Sequence, residues 1–178
     1  MIINDTESVD IHTPTGPMRT YLFRPVTEGR YPGLVLFSEI FQVTGPIRRA
    51  AAMLVSHGFM VAVPEIYHEL EPSGTVLAYD GAGAERGNRH KTTKVLSSYD
   101  GDARAVLDFL KSSLHSTGKL GVMGICIGGI WRFARRCRLT CWPLPVSMRP
   151  ASTSAALVRG GTTTVWTGSV RSRASCCC

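Results

Sequence analysis

The apolar and polar positions of the first 129 residues follow two rhythms, and the switches between them delimit the elements. Residues 19–23 alternate with a period of two and predict an edge strand. Residues 33–38, opened by Tyr31 and Pro32, form an almost unbroken apolar run, the pattern of a strand covered on both faces. Thr44-Gly45-Pro46 predicts a helix start, with Thr as N-cap and Pro in the first turn. Ile47, Ala50, Ala51, Leu54 and Val55 then recur on one helical face, and Gly58 ends the helix. Residues 59–64 predict a second buried strand. Residues 65–98 are broken by Pro72-Ser73-Gly74, Gly81, Gly83 and Gly87, and predict an excursion over the surface. Ala103, Val106, Leu107 and Leu110 mark the next helix, with Asp102 in an early turn and Lys111 in the last, as the helix macrodipole favours. Thr117-Gly118-Lys119 predicts a turn, and residues 120–123 a third apolar strand.

This order implies right-handed crossovers and an α/β fold, a mainly parallel sheet with helices on both faces. No internal repeat is visible. A chain of 178 residues with 44% hydrophobic content can bury a core, which excludes the disordered and low-complexity classes. No apolar run reaches membrane-span length, and the first residues lack a basic stretch followed by an apolar one. A cytoplasmic protein without a membrane partner is the expectation.

The formal charge of +7 would suggest an anionic partner, but its distribution removes the suggestion. Residues 1–129 hold 12 Lys and Arg against 13 Asp and Glu, whereas residues 130–178 hold 8 Arg and no acid. That last stretch also contains five of the six Cys and all three Trp, and lacks Asp, Glu, Lys, Asn, Gln, His and Tyr altogether. These seven amino acids are the ones whose codons carry A in the middle position. At the frequency of the first 129 residues, about 11 of them would be expected in the tail. A reading frame slipped by one base in a GC-rich gene produces this gap, because A-poor third positions move to the middle of the codon. Regrouping the bases that encode residues 131–143 restores apolar positions at helical spacing. Residues 1–129 are therefore expected to be the N-terminal part of a domain, and residues 130–178 an out-of-frame translation. The spacing of Cys137, Cys141 and Cys176-Cys177-Cys178 invites a metal reading, but no His or carboxylate in the tail supports it, and no metal is expected. The competing explanation is a genuine basic tail that contacts nucleic acid.

The chemistry concentrates after the third strand, at Gly124-Ile125-Cys126-Ile127-Gly128-Gly129. This has the form G-x-C-x-G. In the related G-x-S-x-G elbow the nucleophile sits on a strained strand-to-helix turn, flanked by glycines because side chains there would clash. Cys can replace Ser as nucleophile. The same residues would also suit a Gly-rich strand end with a small buried Cys. A second feature is Ser38-Glu39-Ile40-Phe41 at the end of the first buried strand. It places a carboxylate at the carboxyl edge of the sheet, where ligands bind in such folds. The backbone after Glu39, and the N–H of Ile127 after the Cys, can serve as oxyanion donors. A solvated loop Glu is the plain alternative.

Ser38 to Phe41, Pro64-Glu65-Ile66-Tyr67-His68 and Gly118 to Gly129 together resemble the dienelactone hydrolase family, a branch of the α/β-hydrolases, in order and spacing over about residues 10–129. The resemblance implies an α/β-hydrolase-like sheet, incomplete at its C-terminus. It also implies a carboxylic-ester or lactone hydrolase that uses a Cys-His-Asp triad and no cofactor, on a small-molecule ester or lactone. By resemblance Cys126 is the nucleophile, and Glu39 matches the carboxylate that meets the resting thiol. Ile40 and Ile127 match the backbone oxyanion donors, and Arg86 lies in the region that supplies an Arg for the substrate carboxylate. The family's triad Asp and His follow later strands. None of His12, His57, His68, His90 and His115 matches the catalytic His, and His68 is expected to be a loop residue near the sheet edge. The literal chain is therefore expected to be inactive and to fold poorly. A dinucleotide-binding reading of Gly124, Gly128 and Gly129 fails on spacing and on the missing acid downstream.

Overall fold

The structure, a computed structural model, describes residues 2–128. Residues 130–178, with Cys137, Cys141 and Cys176 to Cys178, lie outside the described residues, as does Gly129. The elements run β1 (Ile3–Thr13), β2 (Gly16–Pro25), β3 (Tyr31–Phe37), α1 (Gly45–Ser56), β4 (Met60–Pro64), α2 (Gly81–Thr93), α3 (Leu96–Ser112) and β5 (Ser116–Gly124). The five strands form one sheet in the order β1-β2-β4-β3-β5. β3 pairs parallel with both β4 and β5, while β1–β2 and β2–β4 are antiparallel. Among the described residues two of the four strand pairings are parallel and two antiparallel.

Side-chain alternation explains why the central strands read as unbroken apolar runs. Leu34 and Leu36 of β3 and Val61 and Val63 of β4 face α1, where they meet Ile47, Ala51 and Val55. Val35, Phe37, Met60 and Ala62 face the opposite side and pack with Ala103, Val106, Leu107 and Leu110 of α3. Both faces of these strands are covered, so neither can be polar.

Residues 19–23 do not form an edge. They lie inside β2, which is covered on its outer side by β1. β1 is hard to see in the sequence because its alternation is carried by few apolar residues, chiefly Val9 and Ile11, among polar ones. Its outer positions pair across the hairpin, Arg19 with Asp10 (3.0 Å) and Arg24 with Glu7 (3.1 Å).

Residues 65–98 hold a helix, α2, where a surface excursion was expected. Asp80 caps it, its carboxylate accepting the Gly83 N–H at 2.7 Å. Its glycines lower intrinsic helix propensity by about 1 kcal/mol each, but packing requires two of them. A Cβ on Gly83 would stand 2.0 Å from the Ala78 carbonyl oxygen, and one on Gly87 would stand 2.5 Å from that of Ile40. α3 starts at Leu96, so Asp102 lies mid-helix and buried instead of in an early turn. Residues 117–119 belong to β5, where Gly118 adopts φ +79° at a register shift against β3. The expected turn is a bulge.

Candidate active site

β3 and β5 run parallel and in register, Phe37 opposite Gly124, so both end at one edge of the sheet. Beyond that edge the Ile125 N–H donates to the Phe37 carbonyl (3.0 Å), and the Gly128 N–H donates to the Ile125 carbonyl (3.0 Å). This tight turn carries Cys126 at φ +55°, in the left-handed region that L-residues rarely occupy. Gly128 permits the turn: a Cβ there would lie 2.5 Å from the Phe37 carbonyl oxygen and 2.8 Å from the Phe37 Cβ. The Cys126 thiol is exposed and free, not the small buried packing residue that was the alternative. The geometry is that of a strained elbow presenting a thiol to solvent.

Glu39, two residues past the end of β3, is partly buried and held. Its carboxylate accepts from the hydroxyls of Thr44 (2.9 Å) and Tyr79. Thr44 is at the N-cap of α1, but its hydroxyl turns to Glu39 instead of capping the helix. Among the described residues the Glu39 carboxylate makes no hydrogen bond to the Cys126 thiol. Burial, then the hydrogen bond to Glu39, raises the Tyr79 phenol. Tyr79 also packs on Phe41, with ring centroids 4.5 Å apart.

The two backbone donors expected from the sequence flank this edge. Ile127 buries its side chain in the core beneath the turn, and the Ile40 carbonyl presses against Gly87 of α2. Among the described residues, neither the Ile40 nor the Ile127 N–H is engaged in a hydrogen bond.

Arg86 is placed differently from a free anion-binding cation. Its guanidinium makes two 2.6 Å bonds to the buried carboxylate of Glu71. His90 Nε2 reaches the same carboxylate at 2.5 Å, and the His90 ring lies 5.2 Å from that of Tyr67. Tyr67 was not singled out by the sequence, although it lies in the segment Pro64 to His68. It is fully buried and donates to the Gly87 carbonyl (3.2 Å). Burial, the Tyr99 hydroxyl and the nearby Cys126 sulfur push its phenol well above the ordinary range. Tyr99, next to it, is pushed up to about 12, mainly by burial.

His68 lies in the turn after β4, the loop position expected of it. Its side chain is buried and its Nε2 lies 3.2 Å from Asp102. His68, Glu69 and Asp102 come together closely enough to resemble a metal site. The Lys94 ammonium already occupies the cation position, 2.7 Å from Glu69 and 2.6 Å from Asp102. Burial raises the Glu69 carboxyl, but the hydrogen bonds from Lys94 and Ser98 outweigh it and leave Glu69 lowered. The cluster is therefore an ion-pair network around the Lys94 ammonium, buried at Lys94 and Asp102 and open to solvent at Glu69.

The fold and the elbow define a class, the α/β-hydrolases. The family model described as the dienelactone hydrolase family matches residues 18–138, and the chain belongs to that family. A provisionally named carboxymethylenebutenolidase of Saccharomyces cerevisiae is 38% identical over 79% of this chain and 54% of its own length. A carboxymethylenebutenolidase of Pseudomonas putida is 27% identical over 72% of this chain and 54% of its own. The chain spans about half the length of these curated relatives. Among solved structures, a provisionally named dienelactone hydrolase of Klebsiella pneumoniae shares the fold, with a TM-score of 0.60 at 22% identity over 72% of this chain and 52% of that one. No helix among the described residues is long and apolar enough to cross a membrane.

Proposed function

We propose that this chain carries the nucleophile half of a carboxylic-ester or lactone hydrolase, with Cys126 as the nucleophile. The single observation that supports this most strongly is the left-handed backbone of Cys126 (φ +55°) just past the end of a parallel strand that is in register with β3, the strand leading to Glu39. The Cys126 thiolate attacks the carbonyl carbon, a C–S bond forms, and the alkoxide or phenolate leaves with the electrons of the broken C–O bond. The Ile40 and Ile127 N–H groups hold the oxyanion of the tetrahedral intermediate. Glu39 is the carboxylate positioned to approach the thiol once Thr44 and Tyr79 release it. Arg86, with two N–H groups committed to Glu71, offers its outward N–H groups to a substrate carboxylate. The named relatives are carboxymethylenebutenolidases, which favours a lactone bearing a carboxylate as substrate.

Release of the acyl group needs a base that activates water. All five His of the sequence fall among the described residues, and none of them hydrogen-bonds Cys126. The proposed activity of this chain is accordingly one acylation followed by slow turnover. The same reading takes residues 130–178 as an out-of-frame translation.

Pre-steady-state hydrolysis of p-nitrophenyl acetate tests the proposal. One equivalent of p-nitrophenolate should appear per chain in a burst, with the acyl group on Cys126 and no burst in C126A. A burst that survives C126A would sink the assignment. Resequencing the gene across codons 125–135 tests the tail: one extra base near codon 130, followed by an open frame with a later Asp and His, supports the frame break, and confirmation of the present bases leaves a remnant or a genuine basic tail.

A further inference from the structure

Gln42 stands out as a buried polar residue that the mechanism does not use. It is fully buried, yet its backbone is left-handed, at φ +69°. Gln has no intrinsic preference for that region, and holding it there costs about 1 kcal/mol or more. Its side chain holds the loop between β4 and α2 at two points. Oε1 accepts the Tyr67 N–H (3.2 Å), and Nε2 donates to the Thr75 carbonyl (3.1 Å). Its backbone N–H donates to the Glu39 carbonyl (3.1 Å), which closes a turn with Ile40 and Phe41 at its centre. Its carbonyl accepts the Thr44 N–H (3.0 Å). On the other side of Ile40, Gly87 leaves no room for a Cβ against the Ile40 carbonyl. The Ile40 peptide is thus gripped between a turn anchored by the Gln42 amide and the backbone of α2.

We infer that Gln42 is the positioning residue for the Ile40 N–H as an oxyanion donor. This rests on the assignment of Ile40 given above. Glycine would adopt the same turn without strain, so the side chain must contribute something else. It ties the turn to the loop after β4, which removes the freedom that would let the donor drift. A donor displaced by about 1 Å loses much of its effect on a developing oxyanion.

Two reactions of the same thiol isolate this role. Acylation by p-nitrophenyl acetate passes through an oxyanion: C–S forms, C–O breaks and p-nitrophenolate leaves. Alkylation by iodoacetamide displaces iodide at saturated carbon and forms no oxyanion. Both rates are measured on the full chain by mass spectrometry of tryptic peptide 120–132, which contains Cys126 and no other Cys. The readout is the ratio of acylation to alkylation, compared with that of glutathione. The wild-type ratio should exceed that of glutathione by about tenfold or more. In Q42G and Q42A it should fall about tenfold while alkylation is unchanged. Q42G keeps the turn without strain and decides the matter if Q42A does not fold. A wild-type ratio above glutathione that Q42G leaves within twofold overturns the role of Gln42 alone. A wild-type ratio equal to that of glutathione overturns the oxyanion assignment and Gln42 with it.

Discussion

Gly128 and the Phe37 carbonyl are in such close contact that a Cβ on Gly128 would stand 2.5 Å from the carbonyl oxygen. The contact locks the elbow onto the end of β3. G128A should therefore shift the turn and destabilise the protein by about 2 kcal/mol, the usual cost of overpacking a rigid site. Urea denaturation of G128A checks this, and a midpoint equal to wild type would show that the backbone yields.

Strain at Cys126 makes a prediction of opposite sign. At φ +55° a glycine is at ease, whereas an alanine keeps the strain. C126G should be more stable than C126A by about 1 kcal/mol, the reverse of the order at ordinary positions. Thermal melts of the two variants side by side decide it. If the alanine variant melts higher, the thiol does not sit on a strained turn.

Lys94 places a buried ammonium between Glu69 and Asp102. Replacing it with Met leaves two carboxylates facing one another without a cation. K94M should cost about 3 kcal/mol, and K94M/D102N should recover part of the loss, because the second change removes one of the uncompensated charges. Denaturant midpoints test both. A K94M protein as stable as wild type would mean that water reaches the cluster.

Glu65 is held above its ordinary value of 4.5, by burial first, against the lowering hydrogen bonds from Tyr21 and Gly74. In the window from 4.5 up to the raised folded value, the folded state binds more protons than the unfolded one. This contribution to stability is fully present below 4.5 and is lost as pH rises through the folded value. E65Q removes it. The Tm of E65Q relative to wild type should therefore rise from pH 4 to pH 7. A difference that is flat or falls with pH would contradict the assignment. Glu69 has the opposite sign: it is lowered, and its contribution is lost only as pH falls.

Much of the fold was legible because burial on both faces leaves a direct mark. β3, β4 and α1 are recovered from their apolar runs and helical spacing, since each face must be apolar to pack. β1 and α2 were not legible. The first is an exposed strand stabilised by cross-strand ion pairs, and the second carries glycines that packing, not propensity, demands.

The candidate site divides in the same way. Local sequence placed Gly124-Ile125-Cys126-Ile127-Gly128 at a tight turn after one strand and Ser38-Glu39-Ile40-Phe41 at the end of another, whereas the roles proposed for Cys126, Glu39, Ile40 and Ile127 come from the family resemblance. Only the tertiary structure decided what those residues touch. It turned Thr44 from a helix cap into a Glu39 ligand, paired Arg86 with buried Glu71, and placed Lys94 where a metal ion could otherwise sit. It also assigned the left-handed turn to Gln42, whose two side-chain partners lie 25 and 33 residues away. Turn chemistry is local and readable in a short window. Hydrogen bonds and ion pairs between loops depend on which chain segments the sheet brings to one edge, and that is set only when the strands have paired.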